Sequence, residues 1–298
     1  MSHFDYHQPD LLQEAIALLS EYGQEAALLA GGTALLIDIR HGELDPRHVV
    51  SLWGIPGLEA VQFDRSSGYR FGALVTITNL ANALVDHPAL RGLVEAATLL
   101  GAQQVQNVAT LGGNICKASP GADMVPPLLC LDAMLVLDGP DGQRRTPLDG
   151  FLTGPDQTAL LPAEVLTSIE FPSPASRTGT AFLKVMRRHA VDCSIVAVSA
   201  RVTLAEDGQT ILVARLGLGA VAPNPFRARH AEELLRGQKI EPDLLKQAGA
   251  RARSEARPIT DVRASADYRS MLIETLVPRA LSIAAERAAE RAVEGARN

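Results

Sequence analysis

Residues 105–114 read Val105-Gln106-Asn107-Val108-Ala109-Thr110-Leu111-Gly112-Gly113-Asn114, and a second glycine pair stands upstream in Leu29-Ala30-Gly31-Gly32-Thr33-Ala34-Leu35. The upstream pair follows a short apolar strand, Ala26 to Ala30, and precedes an apolar helical stretch from about Thr33 to Arg40. Glycines at a strand–turn–helix junction let backbone N–H groups approach a phosphate closely, and the start of the helix adds partial positive charge. The downstream pair adds the hydroxyl of Thr110 and the amide of Asn114. Taken alone, a glycine pair is more often just a turn. Two of them suit the two phosphates of a dinucleotide.

Upstream, Leu11, Leu12, Ala15, Ile16 and Leu19 form a helical stripe stopped by Gly23, and Val49 to Leu52 reads as a buried strand. This is a small α/β unit ending near residue 55. The next part, 56–175, mixes a strand from Tyr69 to Ile77, a helix Asn79 to Val85 with Thr78 as its cap, and a helix Pro88 to Leu100. A hairpin around Gly139-Pro140-Asp141-Gly142 and a strand Val165 to Phe171 complete it. Pro172-Ser173-Pro174-Ala175-Ser176 reads as a linker. Beyond it, from about residue 178 to 298, come strands Ala181 to Arg187, Ile195 to Leu204 and Ile211 to Leu218, then helices from Ala228 onward. The Arg/Glu-rich segment Ala280 to Ala296 reads as a solvated helix face with i,i+4 pairs, or as a subunit contact. The fold class is α+β: two α/β subdomains, 1–55 and 56–175, then a C-terminal domain of a three-stranded antiparallel sheet with helices.

The chain has 298 residues, 47% of them hydrophobic and 21% charged, enough to bury a real core. A net charge of −6 argues against a nucleic-acid partner. No apolar run approaches the roughly 20 residues of a membrane span, and the N-terminus has no signal-peptide pattern. Only three cysteines are present, Cys116, Cys130 and Cys193, which fits free thiols in the cytoplasm. The same count excludes an iron–sulfur or zinc site held by this chain alone, since each needs about four ligands. His3 and His7 alone have metal-like spacing, and no metal site is assigned. A G-x-G-x-x-A match at Gly217-Leu218-Gly219-Ala220-Val221-Ala222 is followed by Pro223 and Pro225, which block the helix a Rossmann turn needs. No P-loop and no nucleophile elbow are present.

Three regions together carry a family resemblance. They are Ala30-Gly31-Gly32-Thr33, the run from Val105 to Asn114 continuing through Ala118-Ser119-Pro120-Gly121-Ala122-Asp123, and Lys184-Val185-Met186-Arg187-Arg188 with Asp192 beyond. In order and spacing the chain resembles the medium, flavin-binding subunit of the xanthine dehydrogenase and carbon monoxide dehydrogenase (molybdenum hydroxylase) family. The resemblance implies two PCMH-type α/β subdomains clasping an extended FAD, with a C-terminal domain of the CO dehydrogenase flavoprotein type. It also implies partners: a small subunit with [2Fe–2S] clusters and a large subunit with a molybdopterin cofactor, assembled as a dimer of heterotrimers.

Residue by residue, the resemblance implies that backbone N–H groups in Leu29–Leu35, chiefly Gly31 to Thr33, and those around Gly112 and Gly113 carry the pyrophosphate. Ala109, Thr110 and Asn114 flank it, and Leu100, Val105 and Leu166 pack against the ring system. Asp123 resembles a position that accepts hydrogen bonds from the cofactor, and it also reads as the N-cap of a helix Met124 to Leu131. Lys184 would stabilise the negative charge a flavin gains on reduction, or else snorkels from an edge strand. Where related subunits place an aromatic residue after the aspartate, this chain has Cys193. No catalytic base is assigned. A stand-alone flavin oxidase and a non-catalytic nucleotide-binding assembly factor are the alternative readings.

Overall fold

The structure, a computed structural model, describes residues 3–64, 66–188 and 191–295, with side chains as far as Arg291. The first lobe is a parallel sheet of β1 (Asp5–His7), β3 (His48–Ser51) and β2 (Ala26–Leu29), with β3 in the middle. Asp5 and Ala26 both pair with His48, which sets the register of both ladders. Helix α1 (Leu12–Tyr22) closes one face, where Ala15 and Leu19 are buried with Val50 and Leu52. Strand β1 was not foreseen: three polar-to-aromatic residues, Asp5-Tyr6-His7, carry no strand pattern, and the segment is ordered by its parallel partner. His7 hydrogen-bonds to His48 at 3.1 Å.

Helix α2 (Leu35–His41) follows the first glycine pair and ends at Gly42, which takes the left-handed conformation that closes many helices. None of its residues is buried, although four of the seven are aliphatic. Little apolar packing therefore holds α2 in place.

The second lobe is a five-stranded antiparallel sheet in the order β4 (Val61–Asp64), β5 (Gly68–Gly72), β10 (Val165–Phe171), β6 (Met134–Gly139), β7 (Gly142–Pro147). The hairpin at Gly139–Gly142 is present as read. Strand β5 stops at Gly72 instead of running to Ile77, because residues 73–76 turn away to pair elsewhere. Thr76, not Thr78, caps the next helix, α3 (Ile77–Leu84), by accepting from Asn79 N at 3.2 Å. Thr78 instead donates to the Asn107 amide oxygen. Helices α4 (Arg91–Thr98), α5 (Gln103–Gln106), α6 (Leu111–Cys116) and α7 (Val125–Cys130) complete the lobe. Its core joins Phe71, Leu80, Leu111 and Leu128. Between α7 and β10 a short hairpin, β8 (Leu152–Gly154) with β9 (Gln157–Thr158), projects to the side.

The third part is an antiparallel sheet of β11 (Thr178–Val185), β12 (Val196–Leu204) and β13 (Ile211–Gly219), extended by a two-residue strand β14 (Phe226–Arg227). Helices α8 (Arg229–Leu235), α9 (Pro242–Glu255) and α10 (Ala266–Gly295) cover it. In α10, Ala280, Ala284 and Ala288 recur every four residues and are fully buried. Small side chains on that stripe let the helix lie close on the sheet. Arg287 and Arg291 reach inward too. Arg287 donates to Glu95 of α4 at 2.5 Å and to Thr180 O at 2.6 Å, and Arg291 donates to Thr178 O at 2.7 Å. The Arg/Glu-rich segment is thus an internal tether as well as a wet face; Ala296 lies outside the described residues. No helix among the described residues is long and apolar enough to cross a membrane.

Candidate functional site

Both glycine pairs face one cavity of about 540 Å³ between the first and second lobes, well inside the range of small-molecule sites. The sequence places them 80 residues apart, Gly32 and Gly112; the fold brings them together by direct backbone contact. A Cβ built on Gly31 would run into the Val108 carbonyl, 2.8 Å from its carbon and 3.0 Å from Ala109 Cα. Only glycine permits that approach. Gly32 has φ +71°, the left-handed region, and so turns the chain from β2 into α2. From behind, the indole Nε1 of Trp53 donates to Ala30 O at 2.7 Å and fixes the turn.

The two turns differ in what they offer a ligand. Among the described residues, the N–H groups of Gly31, Gly32, Thr33 and Ala34 have no hydrogen-bond partner. Four unpaired backbone donors in succession form a concavity suited to an anion. At the second turn the donors are already engaged. Leu111 N donates to Val75 O at 2.9 Å, Gly112 N to Ala73 O at 2.9 Å, and Gly113 N to the Thr110 hydroxyl at 3.1 Å. Thr110 is thereby the N-cap of α6. The N–H groups around Gly112 and Gly113, expected to share the pyrophosphate with Gly31 to Thr33, are bonded within the protein, so the first turn supplies the free donors and the second supplies shape. Asn114 Oδ1 accepts from Met124 N at 3.2 Å, which leaves its amide nitrogen to donate into the cavity.

Of the residues expected at the site, Ala30 to Leu35, Leu100, Val105, Ala109, Thr110, Gly112, Gly113, Asn114 and Leu166 line the cavity. Leu29, Asp123 and Lys184 do not. Strand alternation explains Leu29, since its neighbour Leu28 takes the cavity-facing place. The Lys184 side chain is fully buried and donates to Asp123 Oδ2 at 2.7 Å and to Leu99 O at 3.1 Å. It is therefore no snorkelling surface lysine. Asp123 also accepts from Ser194 Oγ at 2.8 Å, and it is not the N-cap of α7; Met124 holds that place, without a side-chain cap. Burial pushes the Asp123 carboxyl up, against the opposing pull of the Lys184 ammonium and the Ser194 hydroxyl. The pair touches the carbonyl of Leu99, the neighbour of cavity-lining Leu100.

Several lining residues gave no signal in the sequence: Asp38, Cys116, Lys117, Asp156, Leu160 and Val165 among them. Lys117 ends α6 and bridges Asp38 at 2.9 Å and Asp156 at 3.0 Å. Burial pulls its ammonium down, and the hydrogen bonds and charges of the two carboxylates outweigh that and raise it. The Cys116 thiol is pushed up to about 12 by burial. It stays protonated at neutral pH. Cys193 is exposed. An apolar-walled cleft with one cluster of free backbone donors fits a flavin dinucleotide: the ring needs apolar contact, and the pyrophosphate needs N–H groups.

Residues 2–174 match the family described as FAD binding domain in molybdopterin dehydrogenase, and residues 181–284 match the CO dehydrogenase flavoprotein C-terminal domain. The chain is 34% identical over 278 residues to the xanthine dehydrogenase FAD-binding subunit of Escherichia coli O157:H7, spanning 93% of this chain and 94% of that one. It is 32% identical to the carbon monoxide dehydrogenase medium chain of Hydrogenophaga pseudoflava, across 96% and 98% of the two chains. A solved carbon monoxide dehydrogenase from Hydrogenophaga pseudoflava superposes with a TM-score of 0.92 at 33% identity, again covering 96% and 98%. Quinoline 2-oxidoreductase from Pseudomonas putida 86 gives 0.87 at 28% identity, with the same coverage. The chain belongs to the family of FAD-binding medium subunits of the xanthine and carbon monoxide dehydrogenases, and is an oxidoreductase flavoprotein.

Proposed function

We propose that this chain is the electron-relaying subunit of a heteromeric molybdenum hydroxylase. Electrons would come from [2Fe–2S] clusters on a small partner subunit, which are reduced in turn at a molybdopterin site on a large one, and would leave to an external acceptor. The observation that carries this reading is the run of four free N–H groups, Gly31 to Ala34, opening into the cleft between the two lobes. Support also comes from relatives named as medium chains and FAD-binding subunits over nearly their whole length.

Bound FAD supplies the capacity to take up electrons and pass them on. What the chain's own residues do is hold and shield it. Gly31, Gly32 and Thr33 donate to the pyrophosphate, with Thr110 and Asn114 as neighbours, while Leu100, Val105 and Leu166 exclude water from the ring. Asp123 and Lys184 set the charge beside Leu99, the neighbour of Leu100. The FAD-binding part is residues 1–175, with subdomains 1–55 and 56–175, and residues 178–298 form the C-terminal domain. The assembly is a cytoplasmic dimer of heterotrimers.

The isolated chain is expected to bind one FAD and to show no turnover of heterocyclic, aldehyde or carbon monoxide substrates. Adding the iron–sulfur and molybdenum chains should make the flavin reducible by substrate. Robust turnover by the metal-free chain alone would mark a stand-alone flavoenzyme instead.

A further inference from the structure

The two helices that begin at the glycine turns are joined again where α6 ends, against the first turn of α2. Helix α2 starts after Gly31–Ala34 and α6 starts at Thr110; Lys117, the residue closing α6, bonds Asp38 of α2 at 2.9 Å across 79 residues of sequence. A third element meets them. Asp156, at the tip of the β8–β9 hairpin, lies 3.0 Å from the same ammonium. Its own N–H donates to Ala118 O, next to Lys117, at 3.2 Å. Asp156 and Ala118 both have left-handed backbone, φ +58° and φ +50°. An aspartate tolerates that region, whereas an alanine adopts it only when its surroundings insist.

This cluster matters because α2 has so little else. None of its residues is buried, so the helix is held at its start by the Gly31 contact and farther along by Asp38. Asp38 is itself well covered, its side chain 13% exposed, while Lys117 is 34% exposed. All three charged residues line the cavity. Lys117 is the sole cation among the lining residues, against the carboxylates of Asp38, Glu43 and Asp156. The ammonium thus has a reason to bind protein carboxylates across the cleft, drawing the walls together.

We propose that Lys117 is a positioning residue: by clasping Asp38 and Asp156 it holds α2 against α6, keeps the first turn's free N–H groups at their working distance from the second turn, and so governs how long FAD stays bound. This rests on the FAD site proposed above. Releasing the clasp leaves both turns intact and lets α2 move about the Gly31 contact. FAD then leaves faster, with no loss of any group that touches it through the glycine turns.

The test uses the full chain loaded with FAD, with free flavin separated from protein by ultrafiltration at timed intervals. Lys117→Met should release FAD about fivefold faster, the scale of a partly covered ion-pair network. Lys117→Arg should keep slow release, and the Lys117→Met, Asp38→Asn double variant should be no faster than Lys117→Met alone. Salt near about 1 M, where the Debye length is roughly 3 Å, should speed release from the wild type and leave Lys117→Met unchanged. If Lys117 merely stabilised the fold, Lys117→Met would lower the unfolding temperature and leave the salt dependence of release as in the wild type. Asp156→Asn, at a carboxylate 65% exposed, carries the test if Lys117→Met fails to fold, and should also speed release. Wild-type release rates in Lys117→Met or Asp156→Asn, or additive effects in the double variant, overturn the clasp alone. A wild-type chain that holds no FAD overturns the FAD site as well.

Discussion

The carbonyl group of Val108 occupies the place where residue 31 would carry a side chain. The first glycine turn is therefore built against the backbone that leads into the second, and one methyl group would separate them. Gly31→Ala should push the turn off by overpacking, at a cost of about 1–3 kcal/mol. We expect a folded chain with a lowered unfolding temperature and less than a tenth of the wild-type FAD affinity, roughly what such a displacement implies. Flavin absorbance per chain after gel filtration checks this. Full retention of FAD would mean that the contact between the turns does not shape the site.

Lys184 and Asp123 make a second pairing with a defined consequence. Both side chains are nearly or fully buried, 2.7 Å apart. Removing the cation alone leaves a carboxylate without its partner in a dry layer, which costs about 3–5 kcal/mol in such settings. Lys184→Met should therefore lower stability in urea by that order. The Lys184→Met, Asp123→Asn double variant should recover much of the loss, because no unpaired charge remains. Equal losses in the single and double variants would show that packing of the lysine stem, not charge, is at stake. The flavin's reduction potential in the double variant then reads the effect of the pair on the cofactor without the confounding instability.

What the sequence displayed and what it hid follow from the range of each interaction. Gly31-Gly32 and Gly112-Gly113 were legible because a turn that needs backbone freedom admits few other residues. Much of the order of strands and helices was legible from local periodicity, as in the α1 stripe of Leu12, Ala15, Ile16 and Leu19. Thr78 was read as a cap in place of Thr76 because strand β5 ends early, at Gly72, to let Ala73 N donate to Thr167 O. That bond spans the lobe and leaves no mark on residues 73–76. Lys117 stayed hidden for the same reason: its partners stand 79 and 39 positions away, and a lysine after a cysteine has no pattern of its own. Occupied N–H groups at the second turn were equally invisible, since Ala73 and Val75 approach them only in the folded sheet.

The three cysteines should differ sharply toward thiol reagents. Burial pushes Cys116 and Cys130 up to about 12 each, so almost no thiolate is present at neutral pH. Cys193 is exposed. A chromogenic disulfide reagent should titrate one fast thiol per native chain, and Cys193→Ser should abolish that phase. Two fast thiols would show that the reagent reaches the half-buried Cys116 through the cavity it lines.

Asp132 predicts how the chain responds to acid. Its carboxylate receives Arg201 at 2.7 Å, Arg215 at 3.0 Å and Arg227 at 2.9 Å, tying the second lobe to the C-terminal sheet. Arg201 and Arg215 sit directly opposite each other on β12 and β13, where like charges repel. Partial burial raises the carboxyl, and the three guanidinium groups overcome that and hold it below its ordinary 3.8. A carboxyl with a lowered folded value binds protons more readily unfolded. Its stabilising effect is therefore complete above the ordinary value and disappears as the pH falls through the lower, folded one. Asp132→Asn should be less stable than the wild type at neutral pH, and the gap should narrow as acid protonates Asp132 in the wild type. Asp64 and Asp207, each lowered to about 2 by hydroxyl and backbone donors, titrate at low pH in both proteins and cancel from the difference. Urea unfolding of the pair from neutral pH down to about pH 3 measures the gap, with the arginines charged throughout. A gap that stays constant with pH would mean that Asp132 acts through the hydrogen-bonding shape of its side chain and not through its charge, since asparagine tolerates the left-handed backbone at this position equally well.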